Sequence, residues 1–376
     1  MVERTMSKRY AWLDVLRATA VLGVVAFHVV QMSPLGGTRL AQVTQYGAFG
    51  VDLFFVLSGW LIGSLLWNEL TMHDNVHLMT FWARRALRTV PPYLVAVLLS
   101  WGAVAYARQE PFDWGYLFFL QNYYQRIPFF LVSWSLCIEE HFYAVAPIVA
   151  ALLLRSAGLH GLWLGALLLM ALSPLARGLE YKEVSDFGYS VTATHLRLDG
   201  LVVGFFGSYF CSRDGRVTLS VAQAGWARLG LVGSVGALIG LEALGGHVRY
   251  VLFPTALALG FGFVVVYGLD RADAWRGQLM GHWSIRAIAL ASYSIYLMHP
   301  LAIHVARGVV RPVEGTFGVL YWPVAIAAIA VMSGLFYWFV ERTSIEARDA
   351  LVPRRERPAL RTSQSIEFAG SPERQR

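Results

Sequence analysis

The chain has 376 residues, of which 56% are hydrophobic and 15% charged, and its formal net charge is +7. Soluble globular domains contain roughly a quarter charged residues, so this composition disfavours a soluble helical protein, even one with a large core. The basic residues lie mostly between apolar runs, where the positive-inside bias places them, so we expect a lipid bilayer and no nucleic acid as partner.

Apolar runs of about twenty residues follow one another, and each is long enough to cross a hydrocarbon core of about 30 Å. They predict an all-α, polytopic membrane protein with about ten transmembrane helices. These fall near residues 11–32, 49–68, 90–107, 133–154, 158–175, 198–211, 229–245, 249–269, 286–306 and 318–341. The sixth is short as drawn, and a further apolar piece, Trp114–Gln121, is too short to cross and is predicted to be interfacial or re-entrant.

We interpret residues 1–350 as one transmembrane domain and residues 351–376 as a disordered cytoplasmic tail, because the tail is polar and lacks apolar periodicity. The first apolar run has no small-residue cleavage signature and is expected to stay as a span. Lys and Arg favour the connections on the side of the N-terminus, and an even number of spans returns the chain to that side. Both termini are therefore predicted to be cytoplasmic.

An arginine and a histidine share one face of the first predicted span, LDVLRATAVLGVVAFHVV. Arg17 and His28 are separated by ~16 Å along a helix and by roughly 20° around it. Asp14 lies one turn before Arg17 and is placed to orient it. Ionisable groups inside a bilayer are costly and mark function by default, and an imidazole there can act as a general base. The alternative is a snorkelling arginine and a structural histidine.

Two further clusters lie near the ends of apolar runs. In FWARRALRTVPPY, helical spacing puts Arg85 and Arg88 on one face, and their guanidinium groups suit phosphate oxygens, although ordinary positive-inside anchoring explains them equally well. In SWSLCIEEHFY, Ser135 and Glu139 share a face beside Glu140. Carboxylates that begin an apolar span need a polar partner, which is either catalytic or a structural ion pair.

Weaker polar features occur in three other spans, and for these we favour a structural role. The glycines of the second span also predict a close approach of helices. These features are Asp52, Ser58 and Gly59; His195, Arg197 and Asp199; and Ser292, Tyr293, Tyr296 and His299. The two cysteines lie in apolar stretches, and no Cys/His spacing for a metal or nucleotide-binding glycine motif is present.

Taken together and in order, these motifs resemble the membrane-bound acyltransferase family 3, over about residues 9–345. The family includes O-acetyltransferases of envelope polysaccharides and peptidoglycan, and macrolide O-acyltransferases. The matching motifs are Arg17 with His28, VDLFFVLSGWLIG, Arg85 with Arg88, Ser135 with Glu139, and SYSIYLMHP. His141 stands where the family usually carries a glutamine, which could reflect the choice of acceptor.

The resemblance implies roles for these residues. Acyl-CoA would dock from the cytoplasm, with Arg85 and Arg88 on its phosphates and Arg17 guiding its thioester inward. His28 would act as general base on the acceptor hydroxyl or as a transient acyl carrier, and Glu139 would orient or charge-balance His28.

The supporting residues implied by the same resemblance are Asp14, which would hold Arg17, and Ser135 and Glu140. It implies no bound cofactor and no metal, with acetyl-CoA as co-substrate. The acceptor is expected to be a sugar hydroxyl of an envelope glycan or a glycosylated metabolite.

The expected location is the bacterial inner membrane. The fused hydrolase-like domain of some members is not seen in this sequence, so the acceptor would be handled by the membrane domain or by a partner enzyme. The sequence does not determine the acyl chain length, whether the protein forms a homodimer, or whether it needs a partner enzyme. The competing functions are those of a glycan transporter or flippase without acyl transfer, and of a membrane scaffold in which His28 and Glu139 can be neutralised harmlessly.

Overall fold

The computed structural model describes all residues except 1, 34, 74–76, 106–108, 182–188, 212–218, 272–281, 311–316 and 354–376. The described residues form helices and short 3₁₀ or π turns, as expected where backbone groups must be satisfied without water. The helices are α1 (Val2–Gln31), α2 (Arg39–Thr44), α3 (Gly50–His73), α4 (Leu78–Ser100), α5 (Trp134–Leu179), α6 (Tyr189–Thr192), α7 (Asp199–Phe210), α8 (Val221–Leu244), α9 (Gly246–Arg271), α10 (Trp283–Leu290), α11 (Ser292–Val310), α12 (Phe317–Phe336) and α13 (Arg342–Leu351). Nearly all of the predicted tail lies outside the described residues.

Eight helical stretches of the described residues are long and apolar enough to cross a membrane, or nine when the bent pair α10–α11 counts as one span. They match nine of the ten predicted spans and confirm an all-α polytopic membrane protein. The exception is the sixth, because α7 has only 12 residues and reaches about 18 Å, less than the hydrocarbon thickness.

One predicted break between spans is a sharp bend inside a single helix. Backbone helix continues from Trp134 to Leu179, yet Leu153 Cδ1 lies 2.6 Å from the place of a Cβ on Gly165. In a straight helix these residues would be about 18 Å apart. α5 therefore folds back on itself and supplies both the fourth and the fifth predicted span.

The third span begins earlier than predicted. The sequence placed its start at residue 90, beside Pro91 and Pro92, whereas α4 begins at Leu78 and includes both prolines. Membrane helices tolerate internal proline because neighbouring groups satisfy the freed carbonyls. Arg85 and Arg88 therefore lie within a membrane helix.

Glycines bring α3 and α7 into direct backbone contact, as the second-span glycines predicted. A Cβ on Gly59 would overlap the carbonyl of Leu201, and one on Gly204 would overlap the carbonyl of Val56. Such close approaches allow dispersion contacts to hold helices together where the hydrophobic effect cannot.

Two buried ion pairs fasten α7 and the turn before it to neighbouring helices. Arg177 bonds Asp199 at 2.8 Å, with the Arg177 side chain 2% exposed, and Arg197 bonds Asp52 at 2.8 Å. Arg177 also donates to the Val251 carbonyl of α9. These contacts give Asp52, Arg197 and Asp199 structural partners, in line with the structural role favoured for them.

The described part of the segment between α4 and α5 is partly buried, although Trp114 and Phe118 are exposed. It forms 3₁₀ turns at Trp114–Phe118, Gln121–Tyr123 and Leu131–Ser133. Tyr116, Gln121 and Asn122 are fully buried, and Gln121 donates to the Tyr93 hydroxyl of α4 at 2.8 Å. This segment brings the start of α5 into the helix bundle.

Candidate active site

Three arginines that the sequence singled out, one on α1 and two on α4, interact electrostatically with one another. Arg17 is acted on electrostatically by Arg85, and Arg88 is acted on by both Arg85 and Arg17. All three side chains are half-buried. Among the described residues, none of them belongs to an ion pair, although like charges held together in a protein normally have acidic partners in contact.

Arg88 has the least compensated charge of the three. Its electrostatic neighbours are the guanidinium groups of Arg85, Arg17 and Arg348, against the carboxylates of Glu341 and Glu139. By contrast, Arg84 on the same helix forms an ion pair with Asp349 of α13 at 2.8 Å. The arrangement leaves Arg88 suited to a further anion from outside the chain.

Arg85 is held by an aromatic face. Its guanidinium carbon lies 4.0 Å from the centroid of the Tyr143 ring on α5, a cation–π geometry. The Tyr143 hydroxyl donates to Glu139 Oε2 at 2.9 Å, and Ser58 of α3 donates to Glu139 Oε1 at 2.9 Å. Glu139 is thus linked to the arginine group through Tyr143, and α5 connects α3 with α4.

Glu140 faces α4. Its carboxylate accepts a 2.7 Å hydrogen bond from Thr89, which lies one residue after Arg88. Arg85 is subject to the fields of both Glu139 and Glu140. The adjacent carboxylates therefore have separate hydrogen-bond donors and share one guanidinium neighbour.

Asp14 lies near Arg17 without contacting it directly. Its electrostatic neighbours are Arg17 and Arg286 of α10. Within the described part of the chain no ion pair joins Asp14 to either arginine. The structure thus places Asp14 beside two cations and attaches it to neither.

His28 meets a second histidine. Its Nδ1 lies 3.2 Å from Nε2 of His299 on α11, and the ring centroids are 5.0 Å apart. His28 Nδ1 also lies 3.0 Å from the Val24 carbonyl of its own helix. His299 is completely buried, whereas His28 is half-buried. The two imidazoles connect α1 with α11.

The direct partnership that the sequence suggested between Glu139 and His28 is not the one observed. Both Glu139 oxygens accept from Ser58 and Tyr143, and the side-chain partner of His28 is His299. Glu139 lies in the second turn of α5 and is an electrostatic neighbour of Arg85. Its position in the helix could not predict whether its side chain lies near the arginines or near His28.

Ser135 joins the site from the start of α5. Its hydroxyl lies 2.7 Å from the hydroxyl of Tyr296, one turn before His299 on α11. Tyr296 donates to the Val132 carbonyl at 3.0 Å. Ser135 thus fixes α11 against α5, and the bend of 72° between α10 and α11 lies one turn before Tyr296. His141 points elsewhere, with its Nδ1 2.7 Å from the Thr194 hydroxyl oxygen.

Two acid–base groups of this region were undervalued from the sequence. The sequence pattern favoured a structural role for His299, although a histidine in an apolar span is itself a signal of function. Glu341, at the end of the tenth predicted span, is buried and accepts from the Ser294 backbone N–H at 3.1 Å and from its hydroxyl. As an ionisable group at the end of an apolar run, Glu341 also indicated a functional position, but it was not singled out from the sequence.

No group of three or more His, Cys, Asp and Glu side chains in the described residues could hold a metal ion. The described side chains of the site are three arginines, two carboxylates that accept hydrogen bonds, and a pair of imidazoles. Cationic groups suit a phosphorylated ligand, and a half-buried imidazole suits proton transfer or covalent transfer.

Comparison with known proteins identifies the family to which the chain belongs. A family model described as an acyltransferase domain matches residues 10–340. The chain is 24% identical to the O-acetyltransferase OatA of Staphylococcus aureus strain MRSA252, over 96% of this chain and 62% of that protein. It is also 24% identical to OatA of strain NCTC 8325, over 90% of this chain and 58% of that protein.

A putative O-acetyltransferase of S. aureus strain COL is 32% identical over 38% of this chain and 25% of that protein. The chain thus spans about three fifths of the length of the OatA proteins that it matches. No solved structure matches the chain.

Proposed function

The chain belongs to the acyltransferase family whose model matches residues 10–340, and on this premise we propose that it transfers an acetyl group from acetyl-CoA to a sugar hydroxyl. The acceptor is an envelope glycan or a glycosylated metabolite. The choice of acetyl and of an oxygen acceptor is supported by the relatives, which are named O-acetyltransferases.

One observation carries the proposal: Arg17, Arg85 and Arg88 converge without an ion pair among the described residues. Coenzyme A bears phosphate groups, and guanidinium forks bind phosphate oxygens through charge-assisted hydrogen bonds. The reactive thioester is at the far end of a long, flexible pantetheine arm. That arm suits a site whose phosphate-binding and reacting groups are well separated.

The reacting group in this proposal is His28. It lies eleven residues beyond Arg17, which is ~16 Å along the axis of α1. The acceptor oxygen attacks the thioester carbonyl carbon, His28 takes the hydroxyl proton, and the departing coenzyme A sulfur receives it. A relay through an acetyl-histidine uses the same residue, with the imidazole as the first nucleophile.

The arginine end of the bundle is proposed to face the cytoplasm of a bacterial inner membrane. The positive-inside bias supports this orientation, and so does the cytosolic supply of acetyl-CoA. Glu139, Ser58 and Tyr143 would then hold Arg85 in place. Asp14, Ser135 and Glu140 would support the same helices from around the site.

The experiment compares glycans and metabolites of a strain that expresses the protein with those of a strain that lacks it. We expect the loss of an increment of ~42 Da per acetylated hydroxyl when the protein is absent. Identical acetylation in the two strains, with acetyl-CoA present and the protein inserted, would contradict the proposal.

A second measurement separates this function from that of a transporter or a scaffold. A ligand that binds only the folded protein raises the temperature of unfolding. We expect coenzyme A to stabilise the purified protein in detergent, whereas a glycan flippase without acyl transfer should show no shift.

A further inference from the structure

His299 lies in the first half of α11, and its ring is completely buried. Its Nδ1 lies 2.8 Å from the Tyr296 carbonyl and 3.2 Å from the Ile295 carbonyl. A carbonyl oxygen can only accept a hydrogen bond, so Nδ1 of His299 must carry the hydrogen.

The opposite nitrogen of His299 is therefore an acceptor. No acidic group forms an ion pair with His299 in the described residues, and a buried charge without such a partner is too costly to keep. The ring is neutral, and Nε2 bears a lone pair. This lone pair faces His28 Nδ1 at 3.2 Å.

His28 then has only one possible tautomer. Its Nδ1 is within hydrogen-bond distance of two acceptors, the Val24 carbonyl and Nε2 of His299. That nitrogen must carry the hydrogen, so the lone pair of the neutral ring is on Nε2. Nε2 of His28 takes part in no hydrogen bond of the described residues, and the ring is half-buried, which leaves this atom open to a substrate.

We propose that His299 is a positioning residue that orients the ring of His28 and, with the Val24 carbonyl, fixes its tautomer, so that Nε2 of His28 is the reacting atom. This inference rests on the proposed acetyl transfer. In the reaction, Nε2 takes the proton of the acceptor hydroxyl as the oxygen bonds to the thioester carbon. Nδ1–H continues to donate to His299, and Nε2 then returns the proton to the departing coenzyme A sulfur. The products are an acetyl ester and free coenzyme A.

In many enzymes the group that orients a reacting imidazole is a carboxylate or a backbone carbonyl. Two carboxylates of this region are engaged with other donors: Glu139 accepts from Ser58 and Tyr143, and Glu341 accepts from Ser294. A neutral imidazole as acceptor also avoids placing a permanent charge at the completely buried position of His299.

Three variants test the proposal by activity. His299→Phe keeps a ring of similar size and removes the acceptor. His299→Gln restores an amide oxygen that can accept from His28. His304→Phe, on the same helix but at an exposed position, is the matched control.

We expect His299→Phe to lower the rate of acetyl transfer by about 10²- to 10⁴-fold, the range for loss of general-base catalysis. Stabilisation by coenzyme A should be unchanged in this variant. His299→Gln should recover at least about tenfold over His299→Phe, and His304→Phe should equal the unsubstituted protein. Equal loss in the Gln and Phe variants, with both still stabilised by coenzyme A, would overturn the positioning role.

The tautomer is measured without any activity. In protein labelled with ¹⁵N-histidine, the nitrogen chemical shifts distinguish a protonated from an unprotonated ring nitrogen, and the His28 signals are assigned by their loss in His28→Ala. We expect His28 to be protonated at Nδ1, and the signal of that nitrogen to shift in His299→Phe, where the Val24 carbonyl remains as its acceptor.

A His28 ring protonated at Nε2 in the unsubstituted protein would overturn the inference even if acetyl transfer were found. The expected tautomer in a protein that transfers no acetyl group would leave this pairing intact and contradict the proposed function alone. If the Phe variant fails to fold, the Gln variant and the spectrum of the unsubstituted protein still decide.

Discussion

Replacing Arg88 with methionine should separate the stability of the protein from its response to coenzyme A. The substitution keeps an apolar stem and removes a charge whose neighbours are three guanidinium groups and two carboxylates. Because like charges outnumber opposite charges, we expect the ligand-free protein to unfold at an equal or higher temperature. Functional sites commonly store unfavourable interactions of this kind.

The ligand response should change in the opposite direction. A hydrogen bond to a charged group contributes about 1.5–3 kcal/mol, so losing the Arg88 contact should weaken coenzyme A binding by at least about tenfold. At a concentration of 100 times the original Kd, stabilisation by coenzyme A would fall from about 2.7 kcal/mol to about 1.4 kcal/mol or less.

The assay is thermal unfolding of the purified protein in detergent, with and without coenzyme A. Arg249→Met is the control, because Arg249 is exposed and bonds Glu242 near the α8–α9 turn, away from the three arginines. A variant of Arg88 that coenzyme A stabilises as strongly as the unsubstituted protein would refute the phosphate-binding role. A large loss of stability without ligand would refute the electrostatic reasoning.

Two structural predictions concern the packing of α7. Arg177→Met should lower the free energy of unfolding by about 3–5 kcal/mol, because the Asp199 charge is left buried and unpaired. Adding Asp199→Leu should recover most of this loss in thermal unfolding, and a double variant as unstable as the single one would contradict the prediction. Gly59→Leu should destabilise by about 1–3 kcal/mol or more, since its Cβ meets the Leu201 carbonyl, while Gly233→Leu, with no atom within 4 Å, should be neutral. Equal unfolding temperatures for the two leucine variants would show that the close contact between α3 and α7 at Gly59 does not contribute to stability.

Much of this architecture could be predicted because membrane helices are recognised in a sequence by their length and hydrophobicity. Nine of ten spans were located, and the glycine contact of α3 was anticipated from Gly59. The short α7 was drawn as a span because its composition is as apolar as the others. Ion pairs with α5 and α3 fasten α7 and the turn before it, and no local sequence pattern predicts such pairs.

The site was predicted in part. The helical spacing placed Arg85 and Arg88 on one face of α4, and Arg17 of α1 is an electrostatic neighbour of both. The partner of His28 could not be predicted, because the choice between Glu139 and His299 depends on how α5 and α11 are rotated against α1. That rotation follows from contacts such as Ser135 with Tyr296, which arise only when the helices are packed. The roles of these residues in catalysis stay predictions.

The most direct test of the whole account is acetyl transfer by the His28→Ala variant. Membranes that contain the protein are incubated with acetyl-CoA labelled in its acetyl group, and label in the glycan fraction is counted. We predict that the variant inserts, is still stabilised by coenzyme A, and transfers no label above background. Transfer at the unsubstituted rate would remove His28 from the reaction and contradict the mechanism.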